Sequence, residues 1–109
     1  MSNPNESSAN KTYNITTNGT VILPVPTNGN NKLVLIALVV NGKGGTGATA
    51  AIYDSNETLG ANAELKKGTL DTVNVFGRIE YGFPCFNGIY IVVGGGTAPD
   101  ITVIYSETP

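Results

Sequence analysis

Short runs of β-branched and aliphatic residues recur along this sequence at intervals of roughly ten residues, separated by Gly, Asn and Pro. Leu, Glu and Lys rarely recur three and four positions apart, so the pattern predicts no long amphipathic helix. Several short strands with turn residues between them are typical of β-sandwiches and jelly rolls. We therefore predict an all-β fold: a single β-sandwich domain of the jelly-roll type with about eight short antiparallel strands.

The turn residues set the boundaries of the predicted elements. Asn18-Gly19 is the signal of a two-residue hairpin that joins strands at 13–17 and 20–23. Residues 59–67 fit either a helical turn or an irregular strand. The remaining predicted strands are 33–40, 48–53, 73–76, 78–81, 89–93 and 101–105, with a turn at 82–84.

The length and the amino terminus define the domain organisation. A chain of 109 residues has the size of one domain. Residues 1–10 are polar, without a basic start or an apolar run, so we predict a flexible N-terminal arm followed by the domain at 11–109. The lone Cys85 has no partner for an intrachain disulfide, which agrees with synthesis in a reducing cytoplasm.

Charged residues are scarce. They make up 13% of the sequence, against about 25% in average domains, and the net charge is -2. The six Lys and Arg residues are scattered, so we expect no nucleic acid partner. The longest apolar run is far shorter than the roughly 20 residues of a membrane-spanning helix, so we expect no membrane partner. The low charge indicates either a surface that faces other subunits or one that Asn, Thr and Gly solvate.

The run at 33–40 is apolar at every position. Alternation places its odd-numbered side chains on one face of a strand and its even-numbered side chains on the other. A two-layer sandwich hides only the inner face of each sheet, so the second apolar face needs another cover. The run at 89–93 repeats this pattern. We predict that another subunit supplies the cover, and the alternative is that residues 59–67 or the N-terminal arm fold across it. The candidate interface residues are Leu33, Leu35, Ile36, Leu38, Val40, Ile89, Ile91 and Val93.

The sequence contains few groups that could catalyse a reaction. It has no histidine, which excludes Ser-His-Asp and Cys-His catalysis. Cys85 lies among aromatic residues and is predicted to pack as a small hydrophobic residue. Residues 42–47 lack the spacing of a P-loop, and residues 54–57 lack the later ligands of an EF-hand. We therefore expect no enzyme activity, no cofactor and no metal.

Tyrosines provide the one alternative binding chemistry. Tyr13, Tyr53, Tyr81, Tyr90 and Tyr105 stand within or at the ends of apolar strands, where packing in the sheets is expected. The positions of Tyr53, Tyr81 and Tyr105 distinguish packing from a binding surface. If several of them shared one exposed surface, they would form a platform on which sugar rings could stack. The sequence has no tryptophan to strengthen such a platform.

Three segments resemble small structural proteins of tailed bacteriophages. They are Thr-Ala-Ala-Ile-Tyr-Asp at 49–54, Phe-Asn-Gly-Ile-Tyr-Ile at 86–91, and Gly-Gly-Thr-Ala-Pro-Asp followed by a strand that ends in Tyr at 95–105. The resemblance covers roughly residues 33–105 and leaves the N-terminal stretch unmatched.

The resemblance implies a role as well as a fold. Such proteins are commonly jelly rolls or related sandwiches, often homotrimers, that decorate or cement capsids or form fibre and tail parts. It implies a virion location after synthesis in the host cytoplasm, contacts with itself and with a major capsid protein or another virion protein, and no catalytic residues. The alternative from the same resemblance is a host-attachment or carbohydrate-binding module of a fibre or tail.

Overall fold

The computed structural model describes residues 10–26 and 32–108. The predicted arm at 1–10 therefore lies outside the described residues, except for Asn10. Eight strands and one short 3-10 helix follow one another in the described part. They are β1 Lys11–Ile15, β2 Gly19–Pro24, β3 Lys32–Gly42, β4 Thr49–Asp54, the 3-10 helix Ala63–Leu65, β5 Lys66–Asp71, β6 Gly77–Cys85, β7 Gly88–Gly94 and β8 Asp100–Thr108.

The strands form two four-stranded sheets in which all neighbours are antiparallel. Sheet I has the order β1-β8-β3-β6, and sheet II has the order β2-β7-β4-β5. Strands that follow one another in the chain mostly belong to different sheets, so neighbours within a sheet are distant in sequence. This interleaved order is that of a jelly roll. The predicted all-β sandwich is confirmed.

The hydrophobic core fills the space between the sheets. It is built from alternate side chains of the central strands, which turn one row of residues towards the opposite sheet. The largest fully buried members are Leu33, Leu35, Leu38, Ile52, Ile89, Ile91 and Ile101. Each such side chain contributes about 1.5–3 kcal/mol through its removal from water. Cys85 belongs to the same core, so its predicted packing role is confirmed.

The predicted hairpin at Asn18-Gly19 is wrong. β1 pairs with β8 and β2 pairs with β7, so the residues between them cross from sheet I to sheet II. Gly19 has φ of 137°, a conformation that favours glycine at this crossing. The side-chain amide of Asn18 donates a hydrogen bond to the Gly96 carbonyl at 2.8 Å. The turn residues were identified correctly, but their position in the fold depends on contacts with distant strands.

The predicted turn at 82–84 is also wrong, because these residues lie inside β6. Pro84 is tolerated there because β6 is an edge strand of sheet I, where a residue without an N–H leaves no ladder bond unmade. Residues 73–76, predicted as a strand, form the turn that precedes β6 instead. Asp71 fixes this turn by accepting hydrogen bonds from the backbone N–H groups of Val73 and Asn74.

Both predicted alternatives for residues 59–67 are realised in part. The segment contains one turn of 3-10 helix, Ala63–Leu65, and then enters β5. The Asn62 side chain caps this turn by accepting a hydrogen bond from the Glu64 N–H at 3.0 Å.

Candidate interaction surfaces

Seven of the eight predicted interface residues lie in the core of the protomer, which corrects the candidate interface. Leu33, Leu35, Leu38, Val40, Ile89, Ile91 and Val93 are all buried between the two sheets. Side chains that are buried within one chain cannot contact a second chain unless the fold opens. Ile36 is the one member of the predicted set that lies outside this core cluster.

A β-bulge at Ile36 explains the difference. Leu35 pairs with Tyr105 of β8, whereas Ala37 pairs with Ile104, so Ile36 is an extra residue on β3. One extra residue shifts the side-chain alternation by one position. Inward-facing residues of β3 are therefore odd-numbered before the bulge and even-numbered after it. Both faces of β3 are apolar, as predicted, but the bulge changes which residues belong to each face.

The outer face of sheet I carries a row of four partly exposed aliphatic side chains. We call Val34, Ile36, Val39 and Ile104 the outer row. None of them packs against the core cluster between the sheets. Ala37 lies in the same row but is fully buried by its neighbours on the sheet. The outer row keeps Ile36 and replaces the four buried residues of β3, Leu33, Leu35, Leu38 and Val40, as the candidate interface on sheet I.

Polar groups border the outer row on two sides. On β6, Arg78 and Glu80 form an exposed ion pair next to the row. At the end of the sheet near Asp100, Asn14 donates to the Asp100 carboxylate at 2.7 Å and Asn41 donates to the Thr102 hydroxyl at 2.8 Å. These groups satisfy one another within the chain. A partner could therefore cover the outer row without burying an unpaired charge.

The outer face of sheet II has a different character because it carries aromatic residues. Tyr53 of β4 and Tyr90 of β7 are cross-strand neighbours, with ring centroids 5.8 Å apart in an edge-to-face arrangement. Ile22 pairs with Tyr90 on the other side, and Val92 lies two positions further along β7. All four side chains are partly exposed. This is the second apolar surface that the described residues present.

Tyr53, Tyr81 and Tyr105 do not share one exposed surface. Tyr81 and Tyr105 pack against the core between the sheets, and Tyr81 makes an edge-to-face contact with Phe83 at 5.4 Å. Burial raises the pKa of Tyr81 above its usual value. Tyr53 alone of the three lies on an outer face. Tyr90, which is also one of the five candidate tyrosines of the sequence, lies beside Tyr53 on that face.

Cys85 is a free cysteine and is buried in the core. Burial, with a smaller effect from the negative charge of Asp54, raises the pKa of the Cys85 thiol to about 12. A thiol with such a pKa is protonated at neutral pH and is a poor nucleophile. The described part of the chain contains no enclosed pocket and no group of three or more His, Cys, Asp or Glu residues placed to hold a metal. No helix in it is long and apolar enough to cross a membrane.

The glycine-rich segment between β3 and β4 is a packed connection. The Gly44 N–H donates to the Thr72 carbonyl at 3.0 Å, and the Gly45 N–H donates to the Thr97 carbonyl at 2.9 Å. A Cβ atom on Gly45 would lie 2.8 Å from the Thr97 Cβ, so only glycine fits. Because these amides bind carbonyls of the same chain, they are not free to cradle a phosphate.

No protein-family model matches the sequence, and no curated protein is significantly similar to it.

Proposed function

We propose that this protein is a non-enzymatic structural protein of a bacteriophage virion, and specifically a capsid decoration or cement protein. It is made in the host cytoplasm, associates as a homotrimer, and binds a major capsid protein or another virion protein. The observation that carries the proposal is the outer row, an apolar strip on a jelly roll whose core is complete without it. The resemblance to phage structural proteins supports the same role.

The outer row supports association through the hydrophobic effect. Each of its side chains is partly covered by the sheet and keeps some apolar area in contact with water. Covering that area with a second subunit stabilises the contact by about 25 cal/mol for each Å² removed from water. The net charge of -2 keeps long-range repulsion between copies small. A protein that is packed at high density on a particle needs an apolar contact surface and little charge repulsion between its copies.

The test is the protein's presence in purified virions. Quantitative mass spectrometry of particles is expected to find it in many copies, at a fixed ratio to the major capsid protein. Val39→Asp places a charge in the outer row and is expected to abolish association and particle binding while the protomer stays folded. Thr69→Asp, an exposed change on sheet II, is the matched control and is expected to change neither. Particles that lack the wild-type protein would refute the role.

A second candidate function rests on the outer face of sheet II. Tyr53 and Tyr90 form a partly exposed aromatic pair, and aromatic side chains stack on the apolar faces of sugars. A host-attachment module would use this pair to bind a cell-surface glycan. Glycan-array binding that is lost in Tyr53→Ala and Tyr90→Ala, but retained in Tyr13→Ala, would favour this candidate. Binding that is absent from the wild type, or indifferent to these substitutions, would exclude it.

A further inference from the structure

Asn-Gly pairs carry a chemical reactivity of their own. In such a pair the backbone nitrogen of the glycine can attack the side-chain carbonyl carbon of the asparagine, because glycine has no Cβ to obstruct the approach. The sequence contains four such pairs, and three of them lie within the described residues: Asn18-Gly19, Asn41-Gly42 and Asn87-Gly88. The fold places these three pairs in different surroundings, so it decides which of them can react.

The reaction requires three local conditions. The asparagine side chain must turn towards the next residue, the backbone between the two residues must leave the extended conformation, and space must be open beside the glycine for a cyclic imide. Residues inside a sheet meet these conditions poorly, because hydrogen bonds to neighbouring strands fix the extended backbone.

The pair Asn41-Gly42 is restrained by sheet I. It lies at the end of β3, an inner strand of that sheet, and Gly42 pairs with Asp100 of β8. The side-chain amide of Asn41 donates to the Thr102 hydroxyl at 2.8 Å and to the Asp100 carboxylate at 3.3 Å. Turning this side chain towards Gly42 would break both hydrogen bonds. We therefore expect this pair to react slowly in the folded protein.

The pair Asn87-Gly88 is restrained by the turn between β6 and β7. The backbone N–H of Asn87 donates to the Asp54 carboxylate at 2.8 Å, and its side chain donates to the Asp54 carbonyl at 3.3 Å. Gly88 is buried. A Cβ atom on Gly88 would lie 2.7 Å from the carbonyl oxygen of Ser55 and 2.9 Å from that of Leu23. This glycine has no room beside it for an imide ring.

The pair Asn18-Gly19 meets the conditions that the other two pairs do not. Asn18 lies between β1 and β2, outside both strands, and both residues of the pair are exposed. In the described chain the Asn18 side chain makes one hydrogen bond, to the Gly96 carbonyl, and this bond is exposed to water. Gly19 begins the edge strand β2. A Cβ atom on Gly19 would have no described atom within 4 Å beyond its chain neighbours.

We propose that Asn18 is a site of spontaneous deamidation. The Gly19 nitrogen forms a bond with Cγ of Asn18, the bond between Cγ and Nδ2 breaks, and ammonia leaves with the amide proton. Water then opens the resulting imide ring. Breaking the new bond to Cγ gives aspartate, whereas breaking the original bond to the backbone carbonyl carbon gives isoaspartate. The sequence of steps consumes one water, releases one ammonia and requires no enzyme.

Deamidation changes the crossing between the two sheets. An aspartate side chain has a usual pKa of about 3.9, so the product is ionised at neutral pH. Its carboxylate cannot donate a hydrogen bond to the Gly96 carbonyl and repels that oxygen. Isoaspartate also adds a methylene group to the backbone at this point. The modification therefore loosens the connection between β1 and β2 as the protein ages, and it does not depend on the virion role.

Peptide mapping by tandem mass spectrometry tests the site in the full chain. The protein is incubated in mildly alkaline buffer, once folded and once in guanidinium chloride, and deamidation is followed at Asn18, Asn41 and Asn87. The unfolded chain gives the reference rate for each pair. Folding is expected to slow Asn41 and Asn87 roughly tenfold or more and Asn18 less than about threefold. Equal slowing at all three pairs, or no reaction at Asn18, would overturn the proposal.

The consequence for the fold is tested with Asn18→Asp, which reproduces one of the two products. This variant is expected to have a lower denaturation midpoint than the wild type at neutral pH, because the hydrogen bond to Gly96 is lost. Thr17→Asp adds the same charge at the neighbouring exposed position and is the matched control, with an unchanged midpoint expected. Equal midpoints for Asn18→Asp and Thr17→Asp would show that deamidation does not loosen the crossing.

Discussion

Aspartate substitutions at Leu38 and Val39 test the two faces of β3. Leu38 follows the bulge on the inner face and is fully buried, whereas Val39 is its neighbour on the outer face and belongs to the outer row. The two substitutions introduce the same charge one residue apart on the same strand. Any difference between them therefore reports burial rather than position in the chain.

The expected magnitudes differ by several kcal/mol. Leu38→Asp loses about 1.5–3 kcal/mol of apolar burial and adds a cost of several kcal/mol for a carboxylate without a partner in the core. The sum is comparable with the whole stability of a typical domain, about 5–15 kcal/mol, so the variant is expected to unfold. Val39→Asp loses mainly strand propensity and a partly covered contact, about 1–2 kcal/mol.

Chemical denaturation followed by circular dichroism provides the measurement. Val39→Asp is expected to show a cooperative transition at a slightly lower midpoint, and Leu38→Asp no folded baseline. Leu35→Asp is the second inner-face variant and is expected to behave as Leu38→Asp does, because the bulge places both residues in the core. A folded Leu38→Asp beside an unfolded Leu35→Asp would show that β3 alternates without a bulge and would refute the assignment of its faces.

Three further predictions concern local features. Gly95→Ala is expected to destabilise the fold by roughly 1–3 kcal/mol in denaturation, because Gly95 has φ of 90° and its Cβ would meet the Gly47 carbonyl. Cys85 is expected to react with thiol reagents only on unfolding, because its pKa is raised to about 12; rapid labelling at pH 8 in native buffer would contradict this. Hydrogen bonds from the side chain of Asn74 and from nearby backbone N–H groups lower the pKa of Asp71. The ionised Asp71 carboxylate therefore stabilises the fold at pH values above its usual pKa of 3.8, and this contribution is lost as the pH falls below that value. Asp71→Asn should flatten that part of a pH series of melting temperatures.

Period-two patterning and turn residues were sufficient to predict the fold class. The runs at 33–40 and 89–93 form the central strands β3 and β7. Continuous β-branched and aliphatic residues favour strands whose side chains a sheet can bury. Cys85 packs in the core, as its aromatic neighbours in the sequence predicted. These features depend on local composition, which a single sequence displays directly.

Features that depend on distant contacts were not predictable. The bulge at Ile36 arises from the register with β8, the register with β6 shifts at the same point through an extra residue on β6, and nothing in an unbroken apolar run marks either shift. Asn18-Gly19 is a valid turn signal whose outgoing strand pairs in the other sheet. Pro84 was predicted to lie in a turn at 82–84, because its actual place within an edge strand depends on the topology. The outer row could not be found for the same reason, since its membership depends on the bulge.

The bulge also changes the energetic argument for association. Strict alternation predicted an entire apolar face needing external cover, but the sheet itself already buries Ala37 completely and covers part of Val34 and Val39. Less apolar area is therefore left for a partner, and the contact through the outer row alone is expected to be weak. Association is thus expected to require that a partner cover the whole outer row, and Val39→Asp, which places a charge within it, should remove that contact while the core between the sheets stays intact.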